Sequence, residues 1–237
     1  MKNVVMFSSG LDSAIAYYCL DKTNPIAPTC VHVHGHSRYS RKELSYVYKL
    51  LLLLDIPKIE FVDQKFLSWF EESDANIPGR NALFAQIGAY YGDNIHIVCQ
   101  EGEQSIPDRS PEFFSKMSEV LTLLWGKKKV VNPTFADLTK QEMVGMALEA
   151  GIDKKILLST YSCFNGKDPG RCGKCAACAR TAIAFEWNNI ELEIDFFSNN
   201  IWEWDGWESY RFGLESGKYS GRRGEQIRSV LKKKNLI

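Results

Sequence analysis

Short apolar runs with no polar alternation recur through the first two thirds of this 237-residue chain, each followed by a stretch of helical character. Strands are expected at 4–7, 29–33, 58–62, 95–99 and 130–131. Helices are expected at 13–21, 40–54, 81–91, 111–125 and 140–150. A strand that is apolar on both faces must be covered on both faces. The pattern therefore predicts an α/β fold, a doubly wound parallel sheet over residues 1–160. With 45% apolar and 24% charged residues, the chain can fill such a core. The pattern then stops. Residues 161–187 hold a cysteine-rich loop and a helical stretch at 176–187. Residues 188–237 are aromatic and polar, and three of the six tryptophans stand in I-W-E-W-D-G-W-E-S-Y-R-F, with Trp187 just upstream. This last stretch is expected to pack over the sheet domain or against a partner chain.

The formal net charge is zero, which argues against a nucleic-acid or membrane binder held by bulk electrostatics. A small phosphate-bearing ligand needs only local charge. The lysine runs 127–129 and 232–234 read as solvated turns or tails.

Four of the seven cysteines, Cys163, Cys172, Cys175 and Cys178, fall in S-C-F-N-G-K-D-P-G-R-C-G-K-C-A-A-C-A-R. Four thiols at this spacing complete a tetrahedral shell for a structural Zn(2+), with no open position for chemistry. A redox C-x-x-C fits four clustered thiols less well. Cys19, Cys30 and Cys99 lie in apolar segments and read as small buried hydrophobes. The N-terminal residues lack the apolar stretch of a signal peptide, and no run reaches transmembrane length. The expected setting is the reducing cytoplasm, with no membrane partner, where clustered thiols bind metal.

Between the first strand and its helix stands Ser8-Ser9-Gly10-Leu11-Asp12-Ser13. A small-residue loop at a helix N-terminus offers free N–H groups and the helix dipole to a phosphate. It lacks the Lys-Ser/Thr ending of a Walker loop and the glycine spacing of a dinucleotide fingerprint. The same residues also fit a plain turn with Asp12 or Ser13 as N-cap.

S-S-G-L-D-S resembles the S-G-G-x-D-S loop of the PP-loop ATP pyrophosphatases, with Ser9 where a glycine usually stands. Serine keeps that backbone shape unless a positive φ is required. The cysteine run resembles the zinc motif of the 7-cyano-7-deazaguanine synthases, and further segments match in order. Ile77-Pro78-Gly79-Arg80-Asn81 resembles that family's P-G-R-N. Pro107-Asp108-Arg109-Ser110-Pro111-Glu112-Phe113 resembles its P-D-C-R-P-E-F, and Leu138-Thr139-Lys140-Gln141-Glu142 its T-K-x-E. The resemblance covers residues 3–187. It implies a PP-loop fold similar to the adenine-nucleotide α-hydrolases. It also implies use of ATP and Mg(2+) and the conversion of 7-carboxy-7-deazaguanine and ammonia to the nitrile. Asp12, Lys140 and Arg80 then stand in catalytic places, and Ser8 to Ser13 grip the nucleotide. Gly35 and His36 stand where the family has Y-G-Q, near the adenine. Asn81, Asp108, Tyr161 and Phe164 face the substrate. On the residues alone, Lys140 and Arg80 read as surface charges, Asp12 and Asn81 as helix caps. His32, His34 and His36 share a strand face, but with no acidic partner expected nearby a metal reading is not favoured.

Three departures stand out. The stretch before Pro107 is shortened to Q-E-G-E-Q-S-I, Arg109 and Ser110 replace a cysteine and an arginine, and residues 188–237 have no counterpart. Two alternatives follow: transfer of the activated acyl group to an amine of a protein or nucleic acid, held by the aromatic tail, or a nucleotide-binding module without turnover. A homodimer is compatible with the sequence.

Overall fold

A computed structural model describes residues 1–73, 75–167 and 169–237. Five strands form one parallel sheet: β1 (Asn3–Met6), β2 (Thr29–His34), β3 (Ile59–Asp63), β4 (Asn94–Val98) and β5 (Val130–Thr134). Their order is β3-β2-β1-β4-β5. The direction of winding reverses between β1 and β4, where a cleft opens at the carboxyl ends of the strands.

The helices are α1 (Leu11–Thr23), α2 (Ser40–Leu53), α3 (Arg80–Tyr91), α4 (Pro111–Trp125), α5 (Lys140–Glu149), α6 (Lys154–Leu158), α7 (Ala176–Trp187), α8 (Trp207–Glu215) and α9 (Gly221–Lys233). Alternation along β1 sorts them. Val5 and Phe7 point to the face covered by α1, α2, α5 and α6, with Ala184 and Phe185 of α7. Val4 and Met6 point to the face covered by α3 and α4. Both faces of the central strands β1, β2 and β4 are thus buried, as their unbroken apolar runs require, whereas no residue of the edge strand β3 is fully buried.

Local chemistry sets the helix starts. Thr139 and Glu142 form a reciprocal capping box at α5. Ser110 caps α4 by accepting from the Phe113 N–H, with Pro111 in the first turn. Gly79 precedes α3 at φ 71°, a left-handed conformation that favours glycine.

The tail forms a third core with the cysteine loop and the other side of α7. Buried Trp207 stacks on Trp202 at 5.5 Å and donates its indole N–H to the Ile201 carbonyl. The tail therefore packs chiefly on α7 and the cysteine loop, and reaches the sheet domain through α9.

Three sequence expectations are corrected. Lys129 is not solvated: its ammonium donates to the Ala89 and Gly92 carbonyls, each at 2.6 Å, and to Asp93. The carbonyls at the end of α3 attract a cation, so one lysine of the run is drawn inside. Lys233 and Lys234 close α9 and pair with Glu186 at 2.7 and 2.8 Å instead of trailing into solvent. Cys19 is half-buried, whereas Cys30 and Cys99 are buried.

Candidate active site and metal centre

The loop after β1 is held from two sides. Ser13 Oγ donates to the Ser8 carbonyl at 2.8 Å, and the Gly10 N–H donates to Ser8 Oγ. Ser9 exchanges two bonds with Tyr161: its hydroxyl donates to the Tyr161 carbonyl, and its carbonyl accepts from the Tyr161 N–H. Ser9 has no positive φ, so serine fits where the resembled loop has glycine. Gly10, at φ −68°, keeps the loop tight: a Cβ there would stand 3.2 Å from Ser8 Oγ and press that hydroxyl aside. Neither Asp12 nor Ser13 is the N-cap of α1. That position is Gly10, with no side-chain cap bond of its own; Ser162 Oγ takes the Leu11 N–H, and the N–H groups that follow in the first turn suit an anion.

The loop opens on a cavity of about 580 Å³. Ser8, Gly10, Asp12, Ser13, Gly35, Arg80, Asn81, Lys140, Tyr161 and Phe164 line it, among the residues that the sequence nominated. Ser9 and Leu11 lie buried behind the loop. His36 is not on the wall; it pairs with Asp63 at the end of β3 at 2.9 Å. An acid therefore does stand beside the histidines, brought there by the parallel register of β2 and β3. Asp108 is also off the wall. Its carboxylate accepts from the Asn81 N–H and its carbonyl from the Asn81 amide. Asn81 lies inside α3, after the Gly79 cap, so it does not cap the helix.

Lys140, expected on the residues alone at the surface, is buried at the start of α5, and its ammonium reaches Asp12 at 2.5 Å. Arg80 and Arg180 make no ion pair among the described residues. Each guanidinium lies over an aromatic ring, Arg80 over Phe84 at 5.5 Å and Arg180 over Phe164 at 5.6 Å. The Arg80 Nε is buried without a hydrogen-bond partner. Two such cations beside donor-rich loops suit the charge of phosphates.

Among the charged residues of the wall, sequence reasoning missed four: Glu43, Arg180 and the Glu103–Arg109 pair, joined at 2.6 Å. Arg180 sits directly after the cysteine motif, and that adjacency was its only signal. Burial pushes the Glu43 carboxyl up to about 7, against the pull of Arg80.

Behind the cavity, the sulfurs of Cys163, Cys172, Cys175 and Cys178 all lie within 4.8 Å of one another. Cys172 and Cys178 sulfurs are 3.9 Å apart, far beyond a disulfide of about 2.05 Å. That spacing matches the roughly 3.8 Å edge of a tetrahedron with Zn–S bonds of about 2.3 Å. Backbone N–H groups aim at the sulfurs: Asn165 and Cys172 at Cys163, Lys174 at Cys172, Cys178 at Cys175. Such donors stabilise thiolates and orient them. Hydrogen bonding with Cys172 leads in drawing the Cys163 thiol below its ordinary value. The cluster fits a metal ion. No helix among the described residues is long and apolar enough to cross a membrane.

A parallel α/β sheet with the Ser8–Ser13 loop at its switch point and the Lys140 ammonium reaching Asp12 beside it is the architecture of the PP-loop class. The sequence model of the queuosine biosynthesis protein QueC matches residues 71–189, which include Arg80, Asn81, Lys140 and all four clustered cysteines. The chain belongs to this family. A 7-cyano-7-deazaguanine synthase of Methanococcus maripaludis is 28% identical over 78% of this chain and 94% of its own length. Synthases of the same name from Pseudoalteromonas atlantica and Methanocaldococcus jannaschii are each 27% identical, over 82% and 81% of this chain and 98% and 97% of their own.

Proposed function

We propose that this enzyme makes 7-cyano-7-deazaguanine from 7-carboxy-7-deazaguanine, ammonia and ATP. The observation that carries the reading is the convergence of the Ser8–Ser13 loop, the Lys140–Asp12 pair and Arg80 on one cavity. A carboxylate is a poor electrophile. Its oxygen attacks the α-phosphorus of ATP, pyrophosphate leaves, and an acyl adenylate forms. Ammonia attacks the acyl carbon, AMP departs, and loss of a proton from nitrogen gives the amide. A second ATP adenylates the amide oxygen with release of pyrophosphate, and loss of AMP and of both protons from nitrogen gives the nitrile.

The residues suit these steps. The loop N–H groups and Lys140 bind the departing pyrophosphate and offset its charge as it develops. Arg80 orients an anionic group, the substrate carboxylate or the α-phosphate. Asp12 would hold Mg(2+), which would supply positive charge to offset that of the phosphates. Zn(2+) on the four thiols would fix residues 161–164, through which Tyr161 and Ser162 hold the phosphate loop.

The test is incubation of the enzyme with ATP, Mg(2+), ammonium and 7-carboxy-7-deazaguanine, followed by mass spectrometry. Nitrile with AMP supports the reading. AMP with a stable amide or another acyl product moves the function to a different acceptor. No carboxylate-dependent AMP removes the adenylating reading. None of residues 188–237 lines the cavity, so nothing in its walls favours the tail as the acceptor's holder.

A further inference from the structure

The cavity wall carries three carboxylates, Asp12, Glu43 and Glu103. Asp12 is engaged by Lys140 and Glu103 by Arg109. Glu43, in the first turn of α2, makes no ion pair among the described residues, although Arg80 faces it. Glu43 is half-buried on the cavity wall, and a carboxylate partly withdrawn from water without a bonded donor has its pKa raised. A ligand that brings two parallel N–H donors offsets that loss of water, because a carboxylate accepts such a pair bidentately.

The substrate read above offers one such edge. A 7-deazaguanine presents N1–H and the 2-amino group side by side, while its reactive carboxyl hangs from the other ring. The wall next to Glu43 suits a flat heterocycle: Tyr39 and Phe164 both line it, with ring centroids 6.2 Å apart and planes 38° from parallel. We propose that Glu43 is the specificity-determining residue of this enzyme, its carboxylate accepting from the N1–H and 2-amino edge of the deazaguanine base. Held by that edge, the base leaves its carboxyl free to meet the nucleotide. This assignment rests on the proposed function.

The experiment compares binding of 7-carboxy-7-deazaguanine and its 2-desamino analogue by calorimetry, with ATP binding as the check on folding. Wild-type enzyme prefers the 2-amino ligand by roughly 10–100-fold. In Glu43→Gln the preference falls to about threefold or less, because an amide presents only one acceptor there, while ATP affinity is kept. A second measurement needs no variant. The preference of the wild type is full at pH 8 and shrinks at pH 5.5, as the carboxylate takes up a proton. Both ligands meet the same Arg80, Tyr39, Arg180, Lys140–Asp12 and Glu103–Arg109 groups, so their ratio cancels those contributions. A preference that is unchanged in Glu43→Gln, or that does not vary with pH, overturns the assignment. Wild-type binding without preference overturns it alone, whereas failure to bind either ligand overturns the proposed function with it.

Discussion

The Lys140 ammonium lies 2.5 Å from the Asp12 carboxylate, tying the first turns of α5 and α1 together beside the phosphate loop. On the proposed function, phosphate oxygens take the ammonium and the carboxylate is then free for a cation. Replacing Lys140 by Met keeps the stem and removes the charge. AMP formation should fall by about 10²–10³-fold, the usual loss for one preorganised donor at a developing charge. Pyrophosphate release in single turnover measures it, and a rate within about threefold of wild type counts against the role.

Removal of the metal should loosen more than its own loop. Cys163, Cys172 and Cys178 share a core with Trp207, Tyr210 and Leu231 of the tail helices, and the Ser9–Tyr161 contact lies on the same segment. Freshly prepared protein should contain about one zinc per chain. Chelation or Cys175→Ser should speed proteolysis within 161–178 and weaken ATP binding, while the circular dichroism of the sheet domain persists. Proteolysis unaffected by chelation would refute the coupling.

The strands were legible because both of their faces are apolar, and β5 proved longer than its Val130–Val131 signal only because Asn132 and Thr134 bond outside the core pattern. The sequence also held the signal for α8 and α9. Trp207, Tyr210 and Leu214 fall at helical spacing, as do Ile227, Val230 and Leu231. Dense charge and aromatic residues hid it. Glu43 was not legible, since a lone acid in S-R-K-E-L looks like a solvated helix face. Only the fold, by bringing α2 against the start of α3, turns it inward.

Burial makes His96 a source of acid sensitivity. Its Nε2 accepts from the Asn94 amide and its Nδ1–H donates to Thr134, so the bonds require a neutral ring. Burial lowers its pKa to about 4. With the folded value below the unfolded one of about 6.5, the stabilisation is complete above pH 6.5 and is lost as pH falls from there toward 4. The group alone should cost about 2 kcal/mol between pH 8 and pH 5. Urea titrations at the two values should find a smaller difference in His96→Gln than in wild type.

Two lysines of one run, Lys127 and Lys129, provide a matched comparison. The Lys129 side chain is 2% exposed and holds two carbonyls at the end of α3, while the Lys127 side chain is 61% exposed. Both pair with Asp93, and hydrogen bonds from Lys127 and then Lys129 bring its carboxyl down to about 2. Lys129→Met leaves buried acceptors without a donor and should cost about 3 kcal/mol. Lys127→Met should cost no more than about 0.5 kcal/mol. Equal denaturation midpoints for the two variants would place Lys129 in solvent.

The tail acts on the site through the cap of α5. Thr139 Oγ donates to Gln226 Oε1 at 2.7 Å in the interior, and Gln226 Nε2 and Arg222 both reach Glu142. Thr139 and Glu142 are the capping box, and Lys140 and Gln141 lie between them. A residue of α9 therefore fixes where the lysine of the phosphate site begins its helix, although 86 positions separate Gln226 from Lys140. The net loss of the Thr139–Gln226 bond in Gln226→Ala is about 1 kcal/mol of stability. Misplacing Lys140 costs more in rate than in binding, because the charge it must meet develops only as pyrophosphate departs. The rate of AMP formation should fall roughly tenfold with the KM for ATP within about twofold of wild type. A variant that melts earlier yet turns over at the wild-type rate would reduce α9 to a purely structural cover.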